Sequence, residues 1–484
     1  MNELSTDLWT RRIVALATLC LLSAAMPLAG GADVSDLRLV EAVRNRNWQA
    51  VPALLKQVNV NASQPDGATA LHWAAQWDDL RTVDLLIRGG ANVNAANDYG
   101  VTPLSLAATN GAAPTIEALL KAGANPNTAL PTGETALMTA ARTGRLAAVQ
   151  ALLARGADVN ARENVMGQTA LMWALSERHL DVAETLVGRG ADVRARSTSG
   201  FTAMLFATRQ GDIDAVRMLM AHGATASDTA TDGTSALLMA TVRGHIELAE
   251  FLLNQGADPN ADGTGYTPLH WAAGTWESAT TRDYRVREWI RLAGPTGEEK
   301  KRLIAALLAH GARPNARARR APPRFGSSAW GIRGGGTPAG ATPFFFAAIS
   351  GDVDVMRLLL ANGADPLTAT NDNTTPLIGA AGLGVEESET LVPESRHLDA
   401  VRLLLDLGAD IRAANNQGDT VLHAAAFQGY DTVARLLVDR GAALNPKNRI
   451  GQTPYKIASG ITVTQMFFRH PSTEALLQKL GGVE

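Results

Sequence analysis

Histidine is the side chain best suited to serve as base or metal ligand near neutral pH, so its nine occurrences in the 484-residue chain are the first place to look for chemistry. They obey a grammar. His72, His270 and His423 each follow a threonine (Thr69, Thr267, Thr420) by three residues. His179, His245 and His397 stand twelve residues before the alanine of a Gly-Ala pair, and His222 and His310 stand two before it. Only His470 falls outside these spacings. The carboxylates behave in the same way, since Asp158, Asp192, Asp258, Asp365 and Asp410 occupy one position after Gly-Ala, and no pair is set apart for acid–base work. Gly334 to Gly336 lack the following Lys-Ser or Lys-Thr of a phosphate loop, no HExxH string occurs, and no nucleophile sits in a recognisable elbow. The expectation is a chain without catalytic site, cofactor or metal.

Periodic placement requires periodic elements. The stretch Thr132 to Ala161 reads as two short helices. Thr135 stands at an N-cap, Ala136, Leu137, Ala140 and Ala141 recur at helical spacing, and Gly144 breaks the run. A second helix, about Leu146 to Ala154, carries Val149, Leu152 and Leu153 as one stripe and ends at Gly156. The capping residue returns as Thr69, Thr102, Thr135, Thr169, Thr202, Ser235, Thr267, Thr342, Thr375, Thr420 and Thr453, mostly 33 residues apart. Neither helix could stand alone in water, and two together cannot enclose their apolar faces, so the copies must stack.

This period, with the string Thr267-Pro268-Leu269-His270-Trp271-Ala272, resembles the ankyrin repeat. The resemblance covers roughly residues 34 to 484 and implies an all-α repeat solenoid of about eleven repeats plus an N-terminal cap, with three inserts. Ala replaces the family's Pro after the cap at Ala70, Ala136, Ala170, Ala203 and Ala236. The resemblance also assigns His72, His270 and His423 to tying neighbouring turns together, and it assigns Trp73, Trp173, Phe206, Trp271 and Phe346 to the packed interior.

The organisation expected is a signal peptide at 1–32, a capping repeat at 33–66, repeats at 67–315 with an insert at 275–298, a basic Gly/Pro-rich finger at 316–341, and repeats at 342–484 with an insert at 383–395 and a C-terminal cap. The signal is read from Arg11 and Arg12, the apolar run from Ile13 to about Ala29, and the small residues that follow. It implies a periplasmic or secreted protein, the alternative being an uncleaved anchor. Cys20, the only cysteine, lies inside that run, so the mature chain would hold no disulfide. Val286, Trp289, Ile290 and Ala293 in the first insert are spaced as an amphipathic helix. The finger holds Arg317, Arg319, Arg320, Arg324, Trp330 and Arg333 without an acidic residue, and reads as a flexible, positively charged loop, either solvated or a contact for an anionic partner through Arg317, Arg319, Arg320, Arg324 and Trp330.

A formal net charge of −3 gives no pull toward nucleic acid, and 46% hydrophobic content fits a packed chain. The resemblance implies recognition of a protein or extended peptide by the concave side, through residues before the cap and at the end of the first helix. Those offsets select Trp77, Thr109, Arg142, Arg209, Arg243 and Phe427 from helix ends, and Tyr99, Met166, Phe201 and Tyr266 from turns. Such a mixture has hot-spot composition. Alanine at Trp77, Tyr99 and Arg142 is expected to abolish capture with little change in melting temperature. The chain is expected to be a monomeric exported scaffold, or alternatively a secreted effector engaging host proteins. An enzymatic or nucleic-acid-binding activity in the inserts is the least favoured reading.

Overall fold

The structure, a computed structural model, describes residues 36–274, 296–320, 339–383, 392–463 and 466–484. The expected signal, the amphipathic stretch around Trp289, the finger tip with Arg324 and Trp330, and most of the acidic insert lie outside the described residues.

Within them, twelve pairs of short antiparallel helices follow one another, from Arg38–Arg44 with Val51–Leu54 to Pro454–Ser459 with Pro471–Lys479. Between the two end pairs, each inner helix begins at the recurring threonine or at Ser235, and each outer helix ends at Gly-Ala. The threonines occupy extended backbone just ahead of the inner helices, and Thr135 accepts the Met138 N–H at 3.3 Å, as Thr342 does that of Phe345 at 3.2 Å. Thr202 departs from this, its hydroxyl going to Asp228 at 2.8 Å. Ala136, Leu137 and Ala140 are buried with Val149 and Leu152, and the same pattern runs through one continuous apolar core from Leu39 to Leu477. The apolar faces of successive pairs cover one another, which is why helices as short as four to nine residues persist. Positive φ at the glycine two residues before each threonine, such as Gly100 (73°) and Gly418 (77°), folds the intervening loop into a turn. Asn373 takes that role at 63°, and asparagine tolerates it best among side-chain-bearing residues.

Three hydrogen-bond ladders link neighbouring pairs. First, buried His72, His270 and His423 accept the N–H of their threonine on Nδ1, at 3.1 Å each, and reach with Nε2 to Val101, Ala341 and Gln452 carbonyls of the next copy. Second, an asparagine in the loop after most of the outer helices clamps the next loop. Asn127 accepts the Asp158 N–H at 2.7 Å and donates to the Gly156 carbonyl at 3.0 Å, and Asn61, Asn94, Asn160, Asn260, Asn315 and Asn445 repeat the arrangement. Third, turn tips bond along the stack, as from Thr198 N–H to the Met166 carbonyl and from Thr231 N–H to Ser199. Between the loops at 225–234 and 258–266 both of the last two ladders lapse. Ser227 stands in the asparagine slot without reaching the next loop, and Gly263 makes no tip bond. The two tips still touch, since a Cβ on Gly233 would fall 2.3 Å from the Gly263 carbonyl carbon.

Histidine 470 joins the grammar after all. It caps the final outer helix, and its Nε2 lies 2.8 Å from the Phe427 carbonyl of the preceding copy, as His179 reaches Arg142 at 3.0 Å and His245 reaches Arg209 at 3.2 Å. The long connection that hid its spacing contains an antiparallel hairpin, Ile461–Val463 with Met466–Phe468.

The inserts are narrower than their expected bounds. Outer helices Gly297–Ala309 and Glu394–Asp406 have 13 residues, so each takes in the last residues assigned to its insert. Glu394 accepts Thr432 N–H at 2.7 Å and Val433 N–H at 3.1 Å, capping the neighbouring outer helix, whose own cap residue Tyr430 supplies no such bond. The start of the finger is likewise an ordinary turn. Ala318 N–H bonds the Ala341 carbonyl at 2.8 Å, Arg319 N–H bonds Gly265 at 2.7 Å, and Arg317 donates to Ala369 at 3.0 Å and Asn371 at 3.1 Å. Arg319 also pairs with Asp262 at 3.3 Å, and Arg320 donates to the Thr264 carbonyl. These three arginines are staples between copies rather than parts of a free finger, because each carbonyl left unpaired at a turn edge offers a guanidinium an acceptor.

Candidate interaction face

The inner face is built from three positions in each copy: the residue before the threonine, the one four after it and the one seven after it. Phe201, Phe206 and Arg209 show that these form a column, with the two rings 5.7 Å apart edge to face and the Arg209 guanidinium 5.1 Å from the Phe206 ring centre. The column also couples adjacent copies. Arg142 lies 5.0 Å from the Trp173 ring of the following copy while pairing with Glu134 at 3.5 Å. In the N-terminal cap, where Leu37 takes the threonine's place, Arg44 lies 5.2 Å from Trp73 in the same way. Trp73 is anchored by its indole N–H to Gln64 at the base of the first turn, 3.0 Å away.

Position eight points elsewhere. Asn110 and Gln210 use their amides to bond the Gln76 and Ser176 carbonyls at the end of the previous inner helix, at 2.8 and 2.7 Å. Trp77 and Arg243 occupy this same backward-facing position. The Trp77 ring stacks on Trp73, 6.1 Å between centres, and carries the Arg46 guanidinium 3.9 Å above it. Treating positions seven and eight as equivalent therefore misplaces Trp77, which bridges copies, and takes Arg243, whose Nε is buried, from the same position. Tyr266 is also corrected: it is 6% exposed and stacked 6.2 Å from Trp271, and burial raises its phenol pKa. Arg142, half-buried between an acid and a ring, holds two copies together, so its removal must cost stability.

Of the remaining turn residues, Tyr99 is 51% exposed and Met166 half-buried beside Val165, which is 64% exposed. Glu163 shapes that turn by accepting the Met166 and Gln168 N–H groups at 2.9 and 2.8 Å. Thr109 is exposed and Phe427 half-buried. Glu134 and Arg44 are the face residues that spacing missed, and Arg46 covers Trp77 beside them. The signal for Arg44 was its offset of seven from Leu37, masked because the cap has no threonine.

Other buried titratable groups make contacts within the stack. Burial pushes the His270 imidazole down to about 4 and lowers those of His72 and His397. Lys300 is buried against Asp352 at 2.9 Å, and burial lowers its ammonium pKa. An open hollow of about 280 Å³ beside it is lined by Glu298, Lys301, Asp354, Arg396 and Asp399, with charges of both signs. No group of three His, Cys, Asp or Glu is placed to hold a metal among the described residues, and no described helix is long and apolar enough to cross a membrane.

The family model described as ankyrin repeats (3 copies) matches residues 39–129, 114–197, 203–279 and 390–448, and the single ankyrin repeat matches 339–372. No curated protein matches. Among solved structures, the human ASB11 ankyrin repeat domain is 25% identical over 46% of this chain and 99% of its own, with a TM-score of 0.41. The family matches span more than half of the sequence and fall on the stacked helix pairs, so the chain belongs to the ankyrin-repeat family.

Proposed function

We propose that the protein is an exported, non-catalytic scaffold that binds a protein or extended peptide along its inner face. The observation that carries this is the repeated placement of arginine over an aromatic ring, at Arg44–Trp73, Arg142–Trp173 and Arg209–Phe206, on the edge where Tyr99 and Val165 are exposed. These side chains give an amphipathic, pre-ordered strip with little entropy left to lose on binding. Ankyrin repeats are in general protein-interaction modules, which supports a protein partner and a binding role.

The test is selection of a displayed peptide library on the immobilised protein, followed by competition with a Tyr99→Ala/Phe201→Ala variant. Enriched peptides should lose binding to this variant, whose melting temperature should stay close to the parent. Enriched peptides that bind it undiminished would refute the face. Export rests on the sequence pattern at residues 1–32, and N-terminal sequencing of the protein from the periplasm and from the medium tests it. Recovery in the medium would favour the effector reading.

A further inference from the structure

At the N-terminal end of the stack, beside the inner face, two arginines stand in a different state from those farther along. Arg142 on that face answers to Glu134, and Arg319 at the turn edge answers to Asp262. Arg44 and Arg46 have no ionic partner and no hydrogen bond from their guanidinium groups among the described residues, yet both are held in place. Each lies over an indole, the Arg46 guanidinium 3.9 Å from the Trp77 ring centre and that of Arg44 5.2 Å from the Trp73 ring centre, and the two indoles are stacked with 28° between their planes. Among the acids close in sequence, Asp36 binds Arg38 at 2.6 Å, Asp78 accepts the Thr115 hydroxyl at 2.8 Å, and Glu41, one turn before Arg44, forms no ion pair among the described residues. The indole N–H of Trp77 is buried and meets no acceptor.

A guanidinium held over a ring by its charge spends none of its N–H donors on that contact and keeps them for an acceptor. Stacking also removes the rotamer freedom that a surface arginine would lose on pairing. We propose that Arg44 and Arg46, on the Trp73–Trp77 platform, anchor an acidic extended peptide segment. Its carboxylates pair edge-on with the two guanidinium groups, and the chain continues along the inner face past Tyr99. This rests on the reading of the inner face as the binding surface and names the partner's chemistry. The opposite reading, in which the arginines merely shield the indoles, uses the ring contact alone and makes no demand on the N–H donors.

The experiment is fluorescence anisotropy of a labelled peptide of repeated Glu-Gly-Leu units with the full chain, its Arg44→Gln/Arg46→Gln variant and the Tyr99→Ala/Phe201→Ala variant. The expected result is saturable binding that weakens as salt rises, is lost when Lys replaces Glu in the peptide, and falls about tenfold or more in the double glutamine variant. Arg44→Lys/Arg46→Lys keeps the charge and loses the planar guanidinium, so it should bind between the two and controls for any loss of stability. Undiminished binding by the glutamine variant overturns the anchor, as does tighter binding of a short single-stranded oligonucleotide through the same arginines. If the glutamine variant binds normally while the Tyr99/Phe201 variant does not, the anchor falls and the inner face stands. If neither variant is impaired, both fall.

Discussion

Acidification should loosen this stack from the middle, and His270 sets the scale. Its Nδ1 accepts the Thr267 N–H at 3.1 Å while Nε2 faces the Ala316 and Ala341 carbonyls at 3.0 and 3.2 Å, so the ring is neutral and protonated on Nε2. Adding a proton to Nδ1 would turn the helix-capping acceptor into a donor aimed at another N–H. Burial accordingly holds the pKa at about 4 against 6.5 for a free imidazole. The unfolded chain then binds the proton first, so stability is fully present above pH 6.5, falls through the interval and levels off below about 4. From pH 7 to pH 5 this one group removes about 2 kcal/mol. His72 and His397, also lowered by burial, add losses of the same sign. The assay is hydrogen exchange of residues 266–274 across that range, with the His270 imidazole titrated by NMR, because a long repeat array need not unfold as one unit. His270→Gln should be less stable at pH 7.5 yet show a shallower decline on acidification by about 2 kcal/mol. An imidazole that titrates near 6.5 in the folded chain, or an unchanged decline in the variant, would refute the reasoning.

Four further outcomes follow from contacts described above. Arg178→Gly relieves a left-handed residue (φ 64°) where Gly144 and Gly211 stand in sister copies, and should raise stability by about 1 kcal/mol in urea unfolding. Asn127→Ala removes two bonds between copies and should cost roughly 1–3 kcal/mol, whereas Ser227→Asn should slow hydrogen exchange in 225–234 and 258–266. Lys300→Ala strands the Asp352 carboxylate and should cost about 3 kcal/mol by calorimetry, more than Lys301→Ala, whose pairs with Glu298 and Asp354 are solvent-exposed. Trp77→Ala should lower the melting temperature appreciably, contrary to the expectation for a surface contact residue, since its ring joins the cap to the first full repeat.

The period of the threonines was enough to place the helices, and the family resemblance it carries placed the buried column of Trp173 and Phe206 and the histidine ties, because each depends on residues a fixed distance apart in one copy. What spacing could not resolve was the direction of a side chain one residue further along a helix end. Positions seven and eight differ by about 100° of helix rotation, enough to turn Trp77 from the inner face onto its neighbour. Composition likewise misjudged Arg317, Arg319 and Arg320: five arginines in a Pro/Gly-rich stretch read as a free loop, while the acceptors that secure these three are backbone carbonyls, which every residue carries. His470 and the cap arginines were obscured by irregular register, a longer connection in one case and a missing threonine in the other.

The lapse at Ser227 and Gly263 makes the molecule mechanically uneven. Helix packing continues across it, but the sides of the stack that would resist opening or twisting are unlaced there, so bending strain will concentrate at that seam. Arg209 and Phe201 lie on one side of it and the inserts on the other. A long ligand lying across both segments would therefore feel a joint, and its grip would set the angle of the array as much as the array sets the shape of its ligand.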